Sequence, residues 1–504
     1  MSLKNVHPQY AQFLPEWEAM RDFHKGELAV KAKGTQYLPA TAGMEIDGML
    51  NVTDMGYKIY QAYKARAIFP DYVKEGVEAL MGLIHQHDAK IELPARMEYL
   101  RSRATVGGES LLMLLRKINE EQLISGRLGL LVDLPENPDP TNPEPFISIY
   151  AAESITNWDD NSSELGLNEL QLIVLNESGY EREDFVWKFE QRYRVLELDE
   201  LVEDDDSTLP EGTVVPQVYW QGVFESEAYN EEAMITPMLR GQTLNCIPFV
   251  FINSKDLIAS PDYPPLMGLG QLCLSIYRGE ADYRQNLHMQ GQDTLVTVGG
   301  IRNPGAIPGQ EDAVRVGAGS RLDVEMGGDA KFIGVSSTGL AEQRNAIEND
   351  RKRAEFKAGQ LIGNQSLKNE AGNAMIARLA SQTANLNQIA LSSGEGLQRA
   401  LRHIAVWIGE DPEKVKVIPN TEFTNAASNA QELVYLMTAR SMGAPLSMRS
   451  IHASLKDKGY TMLDYEEEKA LVKTEGPNDP SKTMADSGNK LNSNVSNPDP
   501  AQKS

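Results

Sequence analysis

Residues 338–360 read TGLAEQRNAIENDRKRAEFKAGQ and residues 265–290 read PLMGLGQLCLSIYRGEADYRQNLHMQ, and these two stretches decide the fold. Each predicts one long helix, and the longer stretch would span roughly 40 Å. The second helix keeps only a thin apolar line at seven-residue spacing, formed by Leu340, Ile347, Ala354 and Leu361. A helix this polar does not lie at the centre of a monomer's core, and a narrow seam is typical of a helix that contacts neighbours along a line.

The segment between the two helices, residues 291–337, is Gly-rich with strand-like runs. The two helices therefore predict a protruding hairpin with a small β element at its end. Identical hairpins standing side by side in a ring would cover the seam of each. The alternative interpretation of the same stretch is an ordinary helical arm of a monomer, solvated on most sides.

The net charge of -24 is large, but it is concentrated in one region. Residues 151–240 hold 22 acidic and 5 basic residues, a local balance of -17. A chain of this sign does not coat itself with nucleic acid, because binding to phosphates by counterion release requires Lys and Arg. One interpretation of the acidic region is a wall around DNA that repels phosphate, so that DNA slides along it without binding. The commoner explanation of such a region is a solvated acidic surface.

Targeting signals and disulfides are not evident in the sequence. It has no apolar run of membrane-spanning length and no signal-peptide pattern near Met1, which predicts a cytoplasmic place of assembly. Cys246 and Cys273 are too few for a disulfide framework, and a reducing compartment fits.

The chain before residue 264 predicts an α+β body. Helices are expected up to Phe69, from Asp71 to Ile84, and from Pro94 to Arg116 with an interruption at Gly107 and Gly108. Short β-branched or aromatic runs then predict a largely antiparallel sheet packed on these helices. The runs are Leu128–Asp133, Phe146–Tyr150, Leu170–Val174, Val186–Phe189, Val214–Phe224 and Ile247–Phe251.

The chain after the hairpin predicts further helices. A polar loop at 363–372 precedes a very long helical region that ends near Trp407, and Gly394 and Gly396 are expected to kink or break it. Helices are expected at 431–442 and 447–458. From Thr474 onward polar residues dominate, which predicts disorder.

The sequence carries no marked chemistry. It lacks a phosphate loop of the GxxxxGK[ST] kind and a GxSxG motif. His85, His87 and Asp88 form the one histidine cluster, but positions two apart point to different sides of a helix, so a shared metal is not expected. We therefore expect no catalytic residue, no cofactor and no metal, which favours a structural or assembly role over an enzyme.

Nine short motifs follow one another along the chain. They are Tyr37–Pro39, Tyr63–Ala67, Gly126–Asp133, Glu153–Trp158, Ile247–Phe249, Pro264–Leu266, Ala281–Tyr283, Leu287–His288 and Thr294–Leu295. In this order and spacing the chain resembles the tailed-bacteriophage portal proteins, in particular a portal-like family formerly of unknown function. The resemblance runs from about Tyr10 to Tyr460, although the motifs end at Leu295.

The resemblance implies a portal-protein fold with named parts. These would be a wing at 1–263, a first stem helix at 264–290, a clip at 291–337, a second stem helix at 338–362, a tunnel loop at 363–372, a long kinked helix with a wing return at 373–421, short crown helices at 422–460 and a disordered tail at 474–504.

The resemblance also implies a function and partners. Portal proteins form a dodecameric ring, a homo-oligomer, at one capsid vertex of the virion, with a channel through which double-stranded DNA is packaged and ejected. The implied partners are the large terminase, a head–tail adaptor and the major capsid protein or scaffold, with no membrane and with assembly in the host cytoplasm. The expected channel-lining residues, which would make weak and shifting contacts with DNA, are Arg344, Arg351, Lys357, Asn364, Gln365 and Lys368.

Two alternatives remain open from the sequence. One is another structural ring protein of a phage head or neck. The other is an acidic hydrolase whose site carries no marked motif.

Overall fold

The computed structural model describes residues 2–135, 144–160, 170–200, 217–239, 241, 243–290, 294–298, 326–333, 339–362, 372–421, 423, 435–457, 461 and 463–475. The chain divides into two compact units, Met1–Thr421 and Glu422–Ser504. The first unit holds these α-helices: α1 (Pro8–Lys25), α2 (Glu27–Ala32), α3 (Ala42–Ile46), α4 (Met55–Arg66), α5 (Tyr72–Ile84), α6 (Leu111–Ile124), α7 (Met267–Gln290), α8 (Leu340–Ile362) and α9 (Gly372–Ile408).

The strands of the first unit pair only in the antiparallel sense among the described residues. They are β1 (Lys90–Glu92), β2 (Arg127–Asp133), β3 (Phe146–Ala151), β4 (Ile155–Asp159), β5 (Leu172–Asn176), β6 (Gly179–Glu183), β7 (Val186–Glu190), β8 (Tyr193–Glu200), β9 (Gln217–Phe224), β10 (Phe249–Asn253), β11 (Thr294–Val298), β12 (Asp329–Ile333) and β13 (Lys416–Ile418). They form a three-stranded sheet β10-β2-β3, a four-stranded sheet β4-β5-β8-β9 and the pairs β1-β13, β6-β7 and β11-β12. The expected α+β class is confirmed, but the strands form separate sheets where the sequence predicted one.

The largest core lies where helices cover the three-stranded sheet. Every residue of β2 is buried, because the strand runs in the middle of its sheet and helices α6 and α9 pack on it. The core side chains contributed by α9 include Leu397, Leu401 and Ile404. The segment after the hairpin is therefore tied into the same core as the strands that precede it.

The third predicted helix begins later than its pattern indicated. Ala95–Arg101 is a short 3-10 helix, and α6 starts at Leu111, after the glycine pair. Gly108 has a φ of +79°, which is incompatible with a helix that continues through this position. Ser110 is the N-cap of α6, because its side chain accepts a hydrogen bond from the Met113 backbone N–H.

Of the kink or break predicted for the long helix, the break does not occur, because α9 is continuous through Gly394 and Gly396. A Cβ at Gly394 would lie 2.8 Å from the Pro419 ring, and one at Gly396 would lie 2.4 Å from the Ile252 side chain. Both glycines thus permit close packing of α9 on its neighbours, and that packing offsets the low helix preference of glycine.

The second unit is helical where it is described. Residues 435–441 form α10, followed by α11 (Met448–Asp457) and α12 (Tyr465–Glu475). The helices predicted at 431–442 and 447–458 match α10 and α11 within the described residues, whereas α12 was not predicted. Thr474 and Glu475, the first two residues of the predicted tail, form the last two residues of α12, and the rest of the predicted tail lies outside the described residues.

Helices of membrane-spanning length and apolarity are absent from the part of the chain that the structure describes.

Candidate channel-forming hairpin

Helices α7 and α8 form an antiparallel hairpin whose far end carries a β ribbon. Strand β11 follows α7, β12 precedes α8, and the two strands pair in register from Thr294 opposite Ile333 to Val298 opposite Asp329. The first helix begins two residues after its predicted start and the second runs two residues past its predicted end, at Ile362. Helix α9 is the next described element after the hairpin, and residues 363–371 of the predicted tunnel loop lie outside the described residues.

The seven-residue seam of α8 faces α7 of the same chain. Ile347, Ala354 and Ala358 are buried. A Cβ at Gly279 would lie 3.1 Å from Ile347 Cγ1, so the two helices approach closely at this glycine. At Ile347 and Ala354 the seam is therefore covered within one protomer, which corrects the expectation that only neighbouring copies cover it.

A buried carboxylate holds the two helices in register. Glu280 of α7 is 5% exposed, and its Oε2 accepts a hydrogen bond from Arg284 Nε at 2.6 Å. Its Oε1 accepts one from Arg351 Nη2 of α8 at 2.5 Å. Asn286 Nδ2 donates to Gln343 Oε1 at 3.0 Å and Ser275 Oγ donates to Asp350 Oδ2 at 3.0 Å, so polar contacts continue along the hairpin. A buried charge costs free energy unless it is paired, and here both carboxylate oxygens are paired.

The body of the protein packs against the hairpin on two sides. From α4, Tyr63 donates to Asp282 Oδ1 at 2.6 Å and Arg66 donates to Gln285. From α5, Tyr72 donates to Glu355 at 3.3 Å. The α7 side chains Leu269, Cys273, Ile276, Tyr277 and Ala281 are buried. Helices α4 and α5 of the same chain therefore cover α7.

The described channel-lining candidates all lie on α8 but in different surroundings. Arg344 is exposed and pairs with Glu348 at 2.8 Å in the next turn, which raises the pKa of its guanidinium. Arg351 is held by Glu280, and Lys357 Nζ lies 3.5 Å from the Gly268 carbonyl oxygen. The Arg344–Glu348 pair is more exposed to water than the Arg351–Glu280 pair, so Arg344 is more available for a phosphate than Arg351. Asn364, Gln365 and Lys368 lie outside the described residues.

A small recess between the two helices brings three arginines together. Arg284, Arg344 and Arg351 line it with Glu280 and Glu348, and its volume is about 210 Å³. Each arginine already has a carboxylate partner, so the recess offers mixed rather than uniformly positive charge. Sequence reasoning missed Glu280, although Arg284 four residues later was a signal for a helical ion pair.

Sequence reasoning also missed a buried arginine in the body. The Arg127 guanidinium lies between two rings, 4.1 Å from the Trp158 centroid and 4.4 Å from that of Phe251. None of its three nitrogens has a hydrogen-bond partner among the described residues, and burial lowers the pKa of Arg127 to about 9. It remains protonated at neutral pH, where the ring faces attract the cation. This stack joins β2, β4 and β10 and belongs to the core.

Among the described residues, the other reactive groups are two cysteines and a buried histidine. No group of three or more His, Cys, Asp or Glu side chains suited to a metal occurs among the described residues. Burial raises the pKa of the Cys273 thiol to about 12, so this thiol is inert at neutral pH. Cys246 Sγ lies 3.8 Å from His403 Nδ1 beside a cavity of about 640 Å³. Burial and, secondarily, nearby Arg399 lower the pKa of His403 to about 4, so this imidazole is neutral at pH 7.

The fold and this hairpin define an α+β protein with a ribbon-tipped helical hairpin. Residues 265–408, which include the hairpin and the long α9 helix, match the family model of a domain of unknown function, DUF4055. No curated protein matches the chain.

Three solved structures are similar to the chain at low identity. They are the neck of a native gene transfer agent (GTA) particle computed with C12 symmetry (13% identity, 76% of this chain and 89% of that chain, TM-score 0.38), the virion of the native particle (14%, 76% and 89%, 0.37) and the neck of the empty particle computed with C6 symmetry (14%, 82% and 92%, 0.35). Similarities at this level decide neither the fold nor the function of this chain.

Proposed function

We propose that this protein is a ring-forming subunit of a phage-like head or neck, and more specifically a portal protein whose ring surrounds double-stranded DNA. The observation that carries the proposal is the α7–α8 hairpin with its β ribbon, which leads into the 37-residue helix α9. The resemblance of the sequence to portal proteins implies the same order of elements: a stem helix, a clip, a second stem helix and a channel helix.

In the proposed assembly each part has a mechanical role. The stem is α7 and α8, the clip is the segment that contains β11 and β12, and the crown lies in the second unit. The wing is the body before α7 with the return after α9. The clip would receive the large terminase during packaging and a head–tail adaptor afterwards, while the wing meets the capsid protein or scaffold.

The charge distribution of the stem suits passage of DNA. On α8, Arg344 and Arg351 each have a carboxylate partner. Paired cations bind phosphate more weakly than free ones, and their contacts are screened at physiological salt. A channel lined in this way would let DNA slide through the ring and would not hold it in place.

Imaging of the purified full-length chain tests the proposal. We expect particles with a mass near twelve times 55.8 kDa and an axial channel in negative-stain averages. A ring with another subunit number supports the broader class of head or neck ring protein but not the portal assignment. A monomer at micromolar concentration, with no assembly on addition of crowding agent, contradicts both.

A labelled variant tests the channel lining. In an assembled ring of Cys246→Ser with Arg344→Cys, a maleimide-gold label should appear near the axis in class averages. The matched control, Cys246→Ser with Lys188→Cys on the exposed strand β7, should carry the label away from the axis. A label at the outer edge of the ring for both variants would exclude Arg344 from the lumen.

A further inference from the structure

Strands β6 and β7 form an arm that stands out beyond the four-stranded sheet. They connect β5 to β8, and their five residue pairs make the arm roughly 17 Å long. At its root the Arg192 backbone N–H donates a hydrogen bond to Ser178 Oγ at 3.0 Å. Every residue of β7 and all but Gly179 of β6 are exposed. The described parts of the chain therefore leave the arm uncovered.

One face of the arm is aromatic. Tyr180 lies opposite Phe189 with ring centroids 5.4 Å apart, and Arg182 lies opposite Trp187. Side chains two residues apart point to the same face of a strand, so these four residues share one surface, which we call the aromatic face. Its three rings are between 58% and 69% exposed, and Phe185 in the turn of the arm is 97% exposed.

The charges of the arm are divided between its two faces. Arg182 is the one charged residue of the aromatic face, and it has no ion pair among the described residues. The carboxylates lie on the other face or in the turn, and they are Glu181, Glu183, Asp184 and Glu190. Glu183 is paired with Lys188, and Glu181 is paired with Arg192. The aromatic face is therefore an apolar surface with one unpaired cation.

The exposed rings of the arm are extensive enough to bind another protein. An aromatic side chain can bury about 150–250 Å², so these four rings leave roughly 500–600 Å² in contact with water. The largest apolar patch of a typical monomer is about 300–600 Å² and is often functional. One side of a typical protein–protein interface buries about 800 Å². The rings therefore supply more than half of one such side.

The same chain exposes a second apolar surface, between α3 and α4. Its backbone is fixed by hydrogen bonds, since the Asn51 N–H donates to Asp54 Oδ2 at 2.8 Å. The Gly56 N–H donates to the Asp47 carbonyl oxygen at 3.3 Å. The apolar side chains of this segment are between 63% and 97% exposed, and they are Ile46, Leu50, Val52 and Met55. We call residues 45–55 the apolar loop.

The unpaired charges of the apolar loop are negative. Glu45 and Asp47 flank Ile46, are exposed and have no ion pair among the described residues. Residues 42–58 hold three carboxylates and one cation, Lys58. The net charge of the apolar loop is therefore opposite to the charge of Arg182 on the aromatic face.

We infer that the aromatic face of one copy binds the apolar loop of the next copy and that this contact helps to build the ring. The contact rests on the proposed ring and adds surfaces through which its copies meet. Both surfaces are apolar and are left uncovered by the described residues of their own chain, and the unpaired Arg182 matches the unpaired Glu45 and Asp47. A contact between two different surfaces of one chain can pass from copy to copy until a ring closes.

Chemical cross-linking tests the contact. The test variant carries Phe185→Cys in the turn of the arm and Thr53→Cys in the apolar loop, together with Cys246→Ser. Cys273 stays in place because it is buried. A short bifunctional maleimide should link these chains into a ladder of products beyond the dimer on a denaturing gel, because each copy offers one site of each kind. Products that end at the dimer would show a two-fold contact and overturn the ring-building contact.

Removal of apolar surface measures how much the contact contributes to assembly. Trp187→Ser with Phe189→Ser should lower the ring fraction, measured by native mass, about tenfold or more, because Trp side chains dominate the binding energy of many interfaces. Ile46→Ser with Leu50→Ser removes apolar surface from the other side of the contact and should have the same effect.

A charge rescue tests the match between the two surfaces. Arg182→Glu should weaken assembly, because it brings a carboxylate against Glu45 and Asp47. The further substitutions Glu45→Arg and Asp47→Arg in the same chain should restore assembly. A chain with all three substitutions that assembles no better than Arg182→Glu alone would contradict the match.

Matched controls change exposed residues outside both surfaces. Leu28→Ser with Val106→Ser replaces two apolar side chains that are 85% and 73% exposed, and this variant should assemble like the native chain. Replacing Thr53→Cys by Glu78→Cys, at an exposed position of α5, should abolish the cross-linked ladder.

The outcomes separate the arm contact from the proposed function. Circular dichroism establishes that each variant folds, and the apolar-loop variants carry the test if an arm variant does not. If the native chain forms rings, and the serine variants form them equally well, the arm contact is wrong while the ring proposal stands. If the cross-linked ladder appears but the native chain forms no ring, the arm contact stands and the proposed function fails.

Discussion

At the scale of single residues, burial decides which charges stabilise the protein. The sequence shows Glu280 as one of two acidic residues of α7, yet it is the buried partner of two arginines from two helices. The exposed pair Arg344–Glu348 has the same chemistry on the surface, where ion pairs contribute little.

Replacement of Glu280 should therefore destabilise the hairpin selectively. We expect Glu280→Gln to lower the free energy of unfolding by about 1–3 kcal/mol, because hydrogen bonds to charged groups contribute roughly that much and two arginines lose their carboxylate. Glu348→Gln is the matched control and should cost less than about 0.5 kcal/mol. Urea unfolding measures both, and equal effects of the two substitutions would contradict the buried pairing.

His403 should make stability depend on acid. Its pKa of about 4 in the folded chain lies below the ordinary 6.5, so between these two values the unfolded chain binds more protons. The contribution of neutral His403 to the free energy of unfolding is therefore fully present above pH 6.5. It is lost as the pH falls from 6.5 to 4, by about 3 kcal/mol in all.

The variant His403→Gln isolates that contribution. Its difference in unfolding free energy from the native chain should shrink or reverse in favour of the variant as the pH falls from 7 to 4. Chemical unfolding at fixed pH values measures the difference. A difference that stays constant with pH would show that His403 is as accessible to protons in the folded chain as in the unfolded one.

At the scale of elements, two glycines that both lie within helices, Gly396 and Gly82, differ in the space around them. Gly396 lies in α9 where a Cβ would meet the Ile252 side chain at 2.4 Å, whereas a Cβ at Gly82 in α5 meets nothing within 4 Å. Gly396→Ala should destabilise by about 1–3 kcal/mol through overpacking. Gly82→Ala should stabilise by about 0.4–1 kcal/mol by restricting the unfolded chain. Thermal melting of both compares them, and a stabilising Gly396→Ala would mean that β10 does not lie so close to α9.

The helical hairpin was predictable because polarity and spacing survive in sequence. Helices α7 and α8 lie within two residues of the stretches 265–290 and 338–360 that predicted them, and Ile347 and Ala354 of the predicted seam are buried. The partners of that seam were not predictable. The spacing of apolar residues shows which face of a helix is apolar. The element that covers this face depends on contacts between residues far apart in the chain.

At the scale of the whole molecule, the division into two units makes a test of independence. The unit Met1–Thr421 contains the hairpin, α9 and the sheets. A chain that ends at Thr421 should keep the native circular dichroism per residue of its helices and strands and melt within a few degrees of the full-length protein. Aggregation or noncooperative melting of the truncated chain would show that the second unit is needed to fold the first.

The sequence by itself determined the α+β class, six of the thirteen described strands and the hairpin with its narrow seam, since these depend on local periodicity and turn residues. Only the tertiary structure decided that the strands split into separate sheets, that α4 and α5 cover the hairpin, that the glycines of α9 serve close packing, and that Glu280 is a buried charge. The reason is physical: periodicity records the face that each segment buries, whereas burial of a particular charge or glycine depends on which distant segment comes to lie against it.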